Sequence, residues 1–361
     1  MYAARSARPE PARDDKVVAS WNGLAIAAFA DAGVILDRPD YVDVATATAA
    51  FALDALIVEG RLRRARSGAG APHLGQLDDH ADLCHGLLRL YAATFQPRWL
   101  AAARELAARM VELFADPDGG GFFYAGSDGE ALVARTRDLE DHPSPAGNSQ
   151  AAHVLLRLAD LTGDPSLEER AVGALRLVHA DMGRFPQAFG TALVALDHHL
   201  SDRREIAIVG PPEDPRTAAL VRAARDGAGP HDALAVGAPD DAEAVAAAPL
   251  LAEGLQQRRD GDRLRPREAV LVGQFKGLAR VGLRVGKGAA PRGDVRVHGE
   301  REGRTGDVTL LARERELRQG DLVGAVEGVG ELQRRQDQDG AGPADPFHVE
   351  AATERELRQL D

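Results

Sequence analysis

Through the first half of the chain, apolar residues recur at intervals of three and four, the period of helices with one buried face. Trp21, Leu24, Ala25, Ala28 and Phe29 predict a helix over 17–36, and Val44, Phe51 and Leu53 in an alanine-rich run predict its partner over 40–58. Leu83, Leu87, Leu88 and Tyr91 mark a third helix over 78–95, and Leu100, Leu106, Met110, Val111 and Leu113 a fourth over 98–115. A turn cluster from Asp116 to Gly121 leads into Phe122-Phe123-Tyr124, which reads as a short strand. A fifth helix with Val154, Leu155, Leu158 and Leu161 opens after Asn148 or Ser149, either of which has the side chain of a helix cap. A sixth runs from Ser166 to Met182 and stops at Phe185-Pro186, and a seventh over 187–200 carries Leu193, Val194 and Leu196.

These helices pair in one layout repeated three times. Helix is followed by a short Pro-bearing turn, a second helix, and a return rich in glycine or proline. The turns are Asp37-Arg38-Pro39-Asp40-Tyr41, Phe95-Gln96-Pro97-Arg98-Trp99 and Gly163-Asp164-Pro165-Ser166-Leu167, each with Pro two residues before the apolar residue that opens the next helix. A spacing of roughly 60 residues is too long for short superhelical repeats and suits stacked or ringed α-hairpins.

After Arg204 the period changes. Glu205 to Gly210 reads as a buried strand, Thr217 to Arg225 as a helix and Leu234-Ala235-Val236 as a second strand, a small αβ appendage over 204–252 attached to a helical body over 1–203. Over 253–361, charged runs such as Gln256-Gln257-Arg258-Arg259 and Arg313-Glu314-Arg315-Glu316 stand among scattered glycines. Short pieces such as Ala269-Val270-Leu271-Val272 have no flanking elements there, and a largely unstructured tail is expected.

The formal charge of −12 sits in the first two-thirds, since acids and bases nearly balance after about residue 250. An acidic surface argues against nucleic acid or an anionic membrane as partner. Cys84 is the single cysteine, which excludes an internal disulfide and a cysteine-rich zinc site. No apolar run approaches the ~20 residues of a bilayer span, and the segment from Met1 to Arg13 has no apolar core of a secretory signal, so a cytoplasmic protein is expected. Neither an H-E-x-x-H spacing nor a phosphate-binding glycine loop occurs, so no metal and no nucleotide or other cofactor is inferred.

The residues Asp14-Asp15-Lys16, Trp21-Asn22-Gly23-Leu24, Leu77-Asp78-Asp79-His80-Ala81, Gly119-Gly120-Gly121-Phe122-Phe123, Pro145-Ala146-Gly147-Asn148-Ser149 and Arg204 to Gly210 form an ordered set of motifs. With them the chain resembles, over about residues 3–252, the C-terminal helical part of the thioredoxin-domain-containing family that includes the spermatogenesis-associated members and their bacterial relatives. The resemblance implies an (α/α)6 toroid similar to those of six-hairpin glycosidases and N-acylglucosamine 2-epimerases. The fold class expected is therefore mainly α, a partial toroid of helical hairpins with an αβ appendage and a poorly structured tail. The family's thioredoxin-like domain and first hairpins are not in this chain, which implies an upstream thioredoxin-like domain as partner if the gene is longer. His80 stands where the family usually has an aromatic such as Tyr, and Ala146 where it usually has Ser. The family's Cys-bearing segment does not follow Leu250-Leu251-Ala252. Codons permitted for Arg259 to Arg265, read one base later, can encode a Thr-Ala-Tyr-Val stretch of the family's kind, so a shifted reading frame is the expectation for the tail.

Toroids of this kind place carboxylates or histidines in loops at one rim. Glycoside hydrolysis needs two carboxyl groups and epimerisation an acid/base pair on opposite faces of a sugar carbon. The candidate acids and bases are Asp15, Asp79 and Asp141, with Trp21, Asn22, His80, Glu140, Asn148 and Ser149 as candidate contacts to a carbohydrate-like small molecule. Each has a plainer alternative. Trp21 packs in a core and Asp15 caps a helix, Asp78 and Asp79 are first-turn acids favoured by the helix dipole, and the loop through Asn148-Ser149 is simply capped. His198-His199 at a helix end suits the dipole alone, and His85 reads as structural. Two further readings of the whole chain stand beside the sugar-processing one: a non-catalytic docking domain for a thioredoxin-like redox module, and an inactive fragment whose open ring exposes apolar faces.

Overall fold

The computed structural model describes residues 5–6, 8, 14–68, 70–131, 133–201, 203–211, 214–238 and 240–252, and the backbone of four strands at 270–275, 278–285, 292–301 and 304–313. Three helical hairpins form its body: α1 (Ala19–Ile35) with α2 (Pro39–Leu56), α3 (Leu77–Thr94) with α4 (Pro97–Phe114), and α5 (Gly147–Thr162) with α6 (Pro165–Arg176). Two more helices, α7 (His179–Arg184) and α8 (Gly190–Leu200), follow.

The hairpin turns share one geometry. Each second helix begins on its proline, whose fixed φ and missing N–H suit the first helical position. Two residues earlier the backbone is left-handed in every case, at Asp37 (φ 52°), Phe95 (φ 54°) and Gly163 (φ 69°). Glycine alone takes that conformation freely.

The first helices of the hairpins pack in series, α1 on α3, α3 on α5 and α5 on α8, while α2, α4 and α6 flank them on the outside. The result is an arc of α-hairpins, mainly helical as expected, with α3 and α5 at its centre. Both are buried over most of their surface, with Leu77, Leu83, Cys84, Leu87 and Leu90 of α3 facing Ala151, Val154, Leu155 and Leu158 of α5 in one core.

At α1 the buried face differs from the one the large apolar residues predict. Ala19, Gly23, Ile26, Ala27, Ala30 and Gly33 are buried. Trp21 is 68% exposed, and Phe29 and Ile35 are also exposed. The helix is apolar nearly all round, so periodicity cannot choose its inner side. Backbone proximity chooses it instead. A Cβ on Gly23 would collide with the backbone of Asp82, and one on Gly86 with the carbonyl of Gly23.

Other differences from expectation are local. The helix expected from Ser166 to Met182 is broken at Leu177–Val178 into α6 and α7, and Pro186–Ala188 forms a 3-10 turn before α8. Phe122 makes an isolated bridge to Ala115 rather than opening a strand. Helix α5 starts at Gly147, so Asn148 and Ser149 lie inside its buried first turn and do not cap it.

Short strands build the rim. β1 (Val17–Val18) pairs with β4 (Ala65–Arg66), and β2 (Ile57–Val58) pairs with β3 (Arg61–Leu62) through Glu59 and Gly60, both at positive φ as a tight hairpin turn requires. Strands β5 (Arg204–Val209) and β6 (Ala233–Gly237) run parallel, connected through α9 (Pro215–Asp226), and α10 (Ala242–Ala247) follows. Three arginines bind this unit to the arc by carbonyl oxygens: Arg225 donates to Ala92 and Ala93 at the end of α3, Arg104 to Ala246 and Ala247, and Arg157 to Pro230 and Asp232. Four strands fall in the stretch expected to be largely unstructured. β7 (Val270–Phe275) pairs antiparallel with β5, and β8 (Leu278–Val285), β9 (Arg292–Arg301) and β10 (Arg304–Arg313) continue the sheet in the order β10-β9-β8-β7-β5-β6. Val270-Leu271-Val272 is flanked by β8, which follows it closely, and by β5, far away in sequence. The frame-shift expectation at Arg259 to Arg265 lies outside the described residues.

The glycine contact predicts that Gly23→Ala or Gly86→Ala, though helix-favouring, destabilises the chain by about 1–3 kcal/mol as α1 and α3 are forced apart. A urea titration followed by circular dichroism measures it, and a stability gain in either variant would show that the helices do not touch there.

Candidate functional site

The inner helices run in the same sense, so the N-termini of α1, α3 and α5 meet at one end of the arc. The amide of Ser20, in the first turn of α1, donates to Asp79 Oδ1 in the first turn of α3 (3.3 Å). Gly147, the first residue of α5, lies against Leu77 and Asp78 at the start of α3. Three sets of unpaired helix N–H groups, and three positive dipole ends, therefore converge.

Carboxylates answer them. Asp79 Oδ2 accepts from the Gln76 amide (2.9 Å) and Asp138 Oδ2 from the Gly147 amide (3.0 Å). Arg64, carried on the β3–β4 segment, places Nη1 3.3 Å from Asp78, 3.1 Å from Asp79 and 3.1 Å from the Tyr124 hydroxyl. Tyr124 is held there because its own carbonyl accepts from the Leu77 amide (3.1 Å).

One turn further along α3 lies Asp82, 1% exposed and with no hydrogen-bond partner at Oδ1. Burial, reinforced by the negative charges of Asp78, Asp79 and Asp138, pushes its carboxyl up to about 8. Asp79 is raised to about 6, first by burial and then by Asp78, with the Gln76 amide, Arg64 and the Ser20 amide opposing. One helical turn apart, the site thus holds two carboxyls raised to different extents by their surroundings. Such a pair provides a proton donor and a proton acceptor in one place.

The candidates chosen from sequence separate. Asp79 is at the centre of this cluster. Asp15 is exposed ahead of β1, and Asp141 accepts from the Ala146 amide (2.8 Å) and the Thr191 amide (2.7 Å), tying the loop before α5 to the start of α8. Trp21 projects from the first turn of α1, where the core placement weighed for it does not hold, and Asn22 donates to the Val18 carbonyl (2.7 Å). Glu140 is exposed. Asn148 is fully used inside the fold, accepting from the Phe122 amide (2.8 Å) and donating to the carbonyls of Phe122 (2.9 Å) and Asp138 (3.0 Å). Ser149 is buried beside it.

His80 points the other way from Asp79. Its Nδ1 donates to the Gln76 carbonyl (2.8 Å), so Nε2 is the acceptor for Arg61 Nη1 (3.0 Å), and burial lowers the ring to about 4. Arg61 spends its remaining donors on Asp128, Leu62 and Gly75. Both line a cavity of about 180 Å³ between α2 and α4, on the outer side of the arc, with their polar atoms already satisfied.

Sequence reasoning missed Asp82, Asp138, Arg64 and Tyr124. The signal for Asp82 was present: an acid four residues after Asp78 in the apolar run Ala81-Asp82-Leu83-Cys84 repeats a like charge on one helix face. Arg64 and Tyr124 carry no such signal, because only loop geometry brings them in. Among the described residues, no group of three or more His, Cys, Asp or Glu side chains is placed to hold a metal ion, and no helix is long and apolar enough to cross a membrane.

Known proteins share this ordered sequence. Spermatogenesis-associated protein 20 of Rattus norvegicus is 35% identical over 233 residues, and that of Homo sapiens 34% identical over 233 residues, in each case 62% of this chain and 30% of the relative. The chain is a homologue of spermatogenesis-associated protein 20. It spans less than a third of the length of those relatives. No family model matches it. Among solved structures it is similar to a cellobiose 2-epimerase of Bacillus thermoamylovorans (14% identity, 46% of this chain and 45% of that one, TM-score 0.39). It is also similar to a GH76 α-mannanase of Bacteroides thetaiotaomicron (15% identity, 71% and 73%, TM-score 0.42). Likeness at that level transfers no residue roles, and the homologue's name specifies no chemistry.

The raised carboxyl of Asp82 has a thermodynamic consequence. A carboxyl whose folded pKa lies above its unfolded value of 3.8 supports the fold at low pH and ceases to as pH rises through about 8. Asp82→Asn, which mimics the protonated form, is expected to be more stable than wild type at pH 7–9, and the gap to vanish near pH 4. Thermal unfolding across that pH range measures it, and equal pH profiles for the two proteins would show that Asp82 is not a buried acid.

Proposed function

We propose that the rim where α1, α3 and α5 begin binds a neutral, hydroxyl-rich small molecule of carbohydrate type, and that Asp82 and Asp79 exchange protons with it. The observation that carries this reading is the buried Asp82 carboxyl with an unpartnered oxygen, one helical turn from Asp79, whose carboxyl is raised less. A structural cap needs neither feature, since it takes up backbone N–H bonds with both oxygens, as Asp141 does.

The mixture of donors and acceptors points to the ligand class. The Arg64 guanidinium, the Tyr124 hydroxyl and the neutral Asp82 carboxyl donate, while Asp78, Asp79 and Asp138 accept. Hydroxyl groups satisfy both kinds, and an anionic ligand would meet an excess of carboxylate charge. Trp21, exposed on the first turn of α1 beside this rim, offers a flat apolar face of the sort a sugar ring stacks on. Arg64 is more exposed than the Asp78 and Asp79 side chains it pairs with. Its side chain is 38% exposed and its bonds of 3.1–3.4 Å are longer than the ~2.8 Å of a tight charge-assisted pair, so a ligand hydroxyl can take its place. Asp79, raised to about 6, has the affinity suited to a general base near neutral pH, with Asp82 as the acid.

Docking of a protein partner is the second reading, and the uncovered stripe of Trp21, Phe29 and Ile35 along α1 favours it. Titrating the isotopically labelled chain with neutral mono- and disaccharides separates the two. Sugar-induced shifts at Arg64, Asp78 and Tyr124, lost in Asp79→Asn and Asp82→Asn together with about 10²-fold or more of any turnover, are expected. No shift at the rim with any neutral sugar would overturn the sugar reading.

A further inference from the structure

The cavity of about 180 Å³ between α2 and α4 lies across α3 from the rim, and the β2–β3 hairpin borders it. Its walls come from helix faces. Leu53 and Ile57 stand four residues apart at the end of α2, and α4 contributes Ala102, Glu105, Leu106 and Arg109, which share one side of that helix. The deepest part is lined by Leu62, Leu106 and His80, at 2%, 5% and 1% exposure. Ala102 is the small member of the α4 face, so the space opens beside it.

The four polar side chains of the lining divide into two kinds. His80 and Arg61, inside, are committed to Gln76, Asp128 and the carbonyls of Leu62 and Gly75 as well as to each other. A charged group pushed in that far would lose its water and find no free partner. Glu105 and Arg109, at the surface, are the available ones. Glu105 is exposed and forms no hydrogen bond or ion pair among the described residues. Arg109 gives Nη1 to Glu112 (2.6 Å), but both side chains are well exposed, at 42% and 61%. Such a surface pair contributes little, and the rest of the guanidinium fork is open to a carboxylate.

We propose that this cavity binds a free amino acid with an aliphatic side chain. The chain enters among Leu53, Ile57, Leu62 and Leu106, the ammonium group pairs with Glu105 and the carboxylate with Arg109. Charge selects the zwitterion. A simple carboxylate would meet Glu105 as well as Arg109, and a simple amine would meet Arg109 as well as Glu105, so each gains one attraction and one repulsion. Residues four apart on a helix stand about 5–6 Å from each other at Cβ, close enough to grip two charges carried on one carbon. Volume selects the tail. An apolar cavity of about 150 Å³ holds benzene, so this one takes a branched chain of about four carbons and is too small for an indole. Nothing in this assignment depends on what the rim binds.

The test is a titration of the isotopically labelled whole chain with L-leucine, 4-methylpentanoate, 3-methylbutylamine and L-tryptophan, read at the amides of 57–62 and 102–109. Leucine is expected to give saturable shifts there. The two analogues, each lacking one charge, should bind about tenfold more weakly or less, and tryptophan should give none. Glu105→Gln and Arg109→Gln should each weaken leucine by about tenfold. Ala102→Leu, which puts three more carbons into the space, should abolish its binding. Absence of saturable shifts with leucine up to about 10 mM, equal binding of either analogue, or leucine binding unchanged in both surface variants would each overturn the assignment. Should Ala102→Leu fail to fold, the two surface variants and the analogues decide the matter without it.

Discussion

The close approach of α1 to α3 is the constraint on which the arrangement rests. Two glycines, Gly23 and Gly86, let the helix backbones touch, and no side chain fits between them. Only at that separation does the amide of Ser20 come within reach of Asp79. The same contact turns the small-residue stripe of α1 inward and leaves Trp21 and Phe29 outside. Gly147 repeats the device between α5 and the start of α3. Small residues at each crossing thus draw the three inner N-termini to one point.

That convergence explains why a cluster of acids is tolerated in a mostly apolar interior. Four carboxyl groups at 78, 79, 82 and 138 would repel one another strongly in a low-dielectric setting. Helix-start amides and Arg64 stabilise the charge on Asp78, Asp79 and Asp138. Asp82 has no such partner at Oδ1, and burial with its acidic neighbours pushes its carboxyl up to about 8. The rim is thus divided by position along α3, with hydrogen-bonded carboxyls at the first turn and a buried one with an unpartnered oxygen at the second.

A different strategy joins the arc to the strands. There the contacts are arginine-to-carbonyl bonds at helix and loop ends, together with a row of ring contacts through His85, His153, His198 and His231. Guanidinium groups hold their charge at any ordinary pH, whereas imidazoles do not.

The hairpin repeat was legible in the chain because its determinants are local. Pro39, Pro97 and Pro165 each fix the first turn of a helix, and β5 and β6 announce themselves by short β-branched and alanine runs. First-turn acids such as Asp79 were legible for the same reason, since capping involves residues three apart. What periodicity could not decide was which side of α1 faces inward, because both sides are apolar and the choice depends on a neighbouring backbone. Nor could it separate Asp79 from His80, adjacent in sequence but turned to opposite layers, or show that Asn148 is spent on the Phe122 backbone. Arg64, Tyr124, Asp138 and the histidine row join the site and the joint only through contacts between residues far apart in the chain, and those distances exist only once the hairpins are packed.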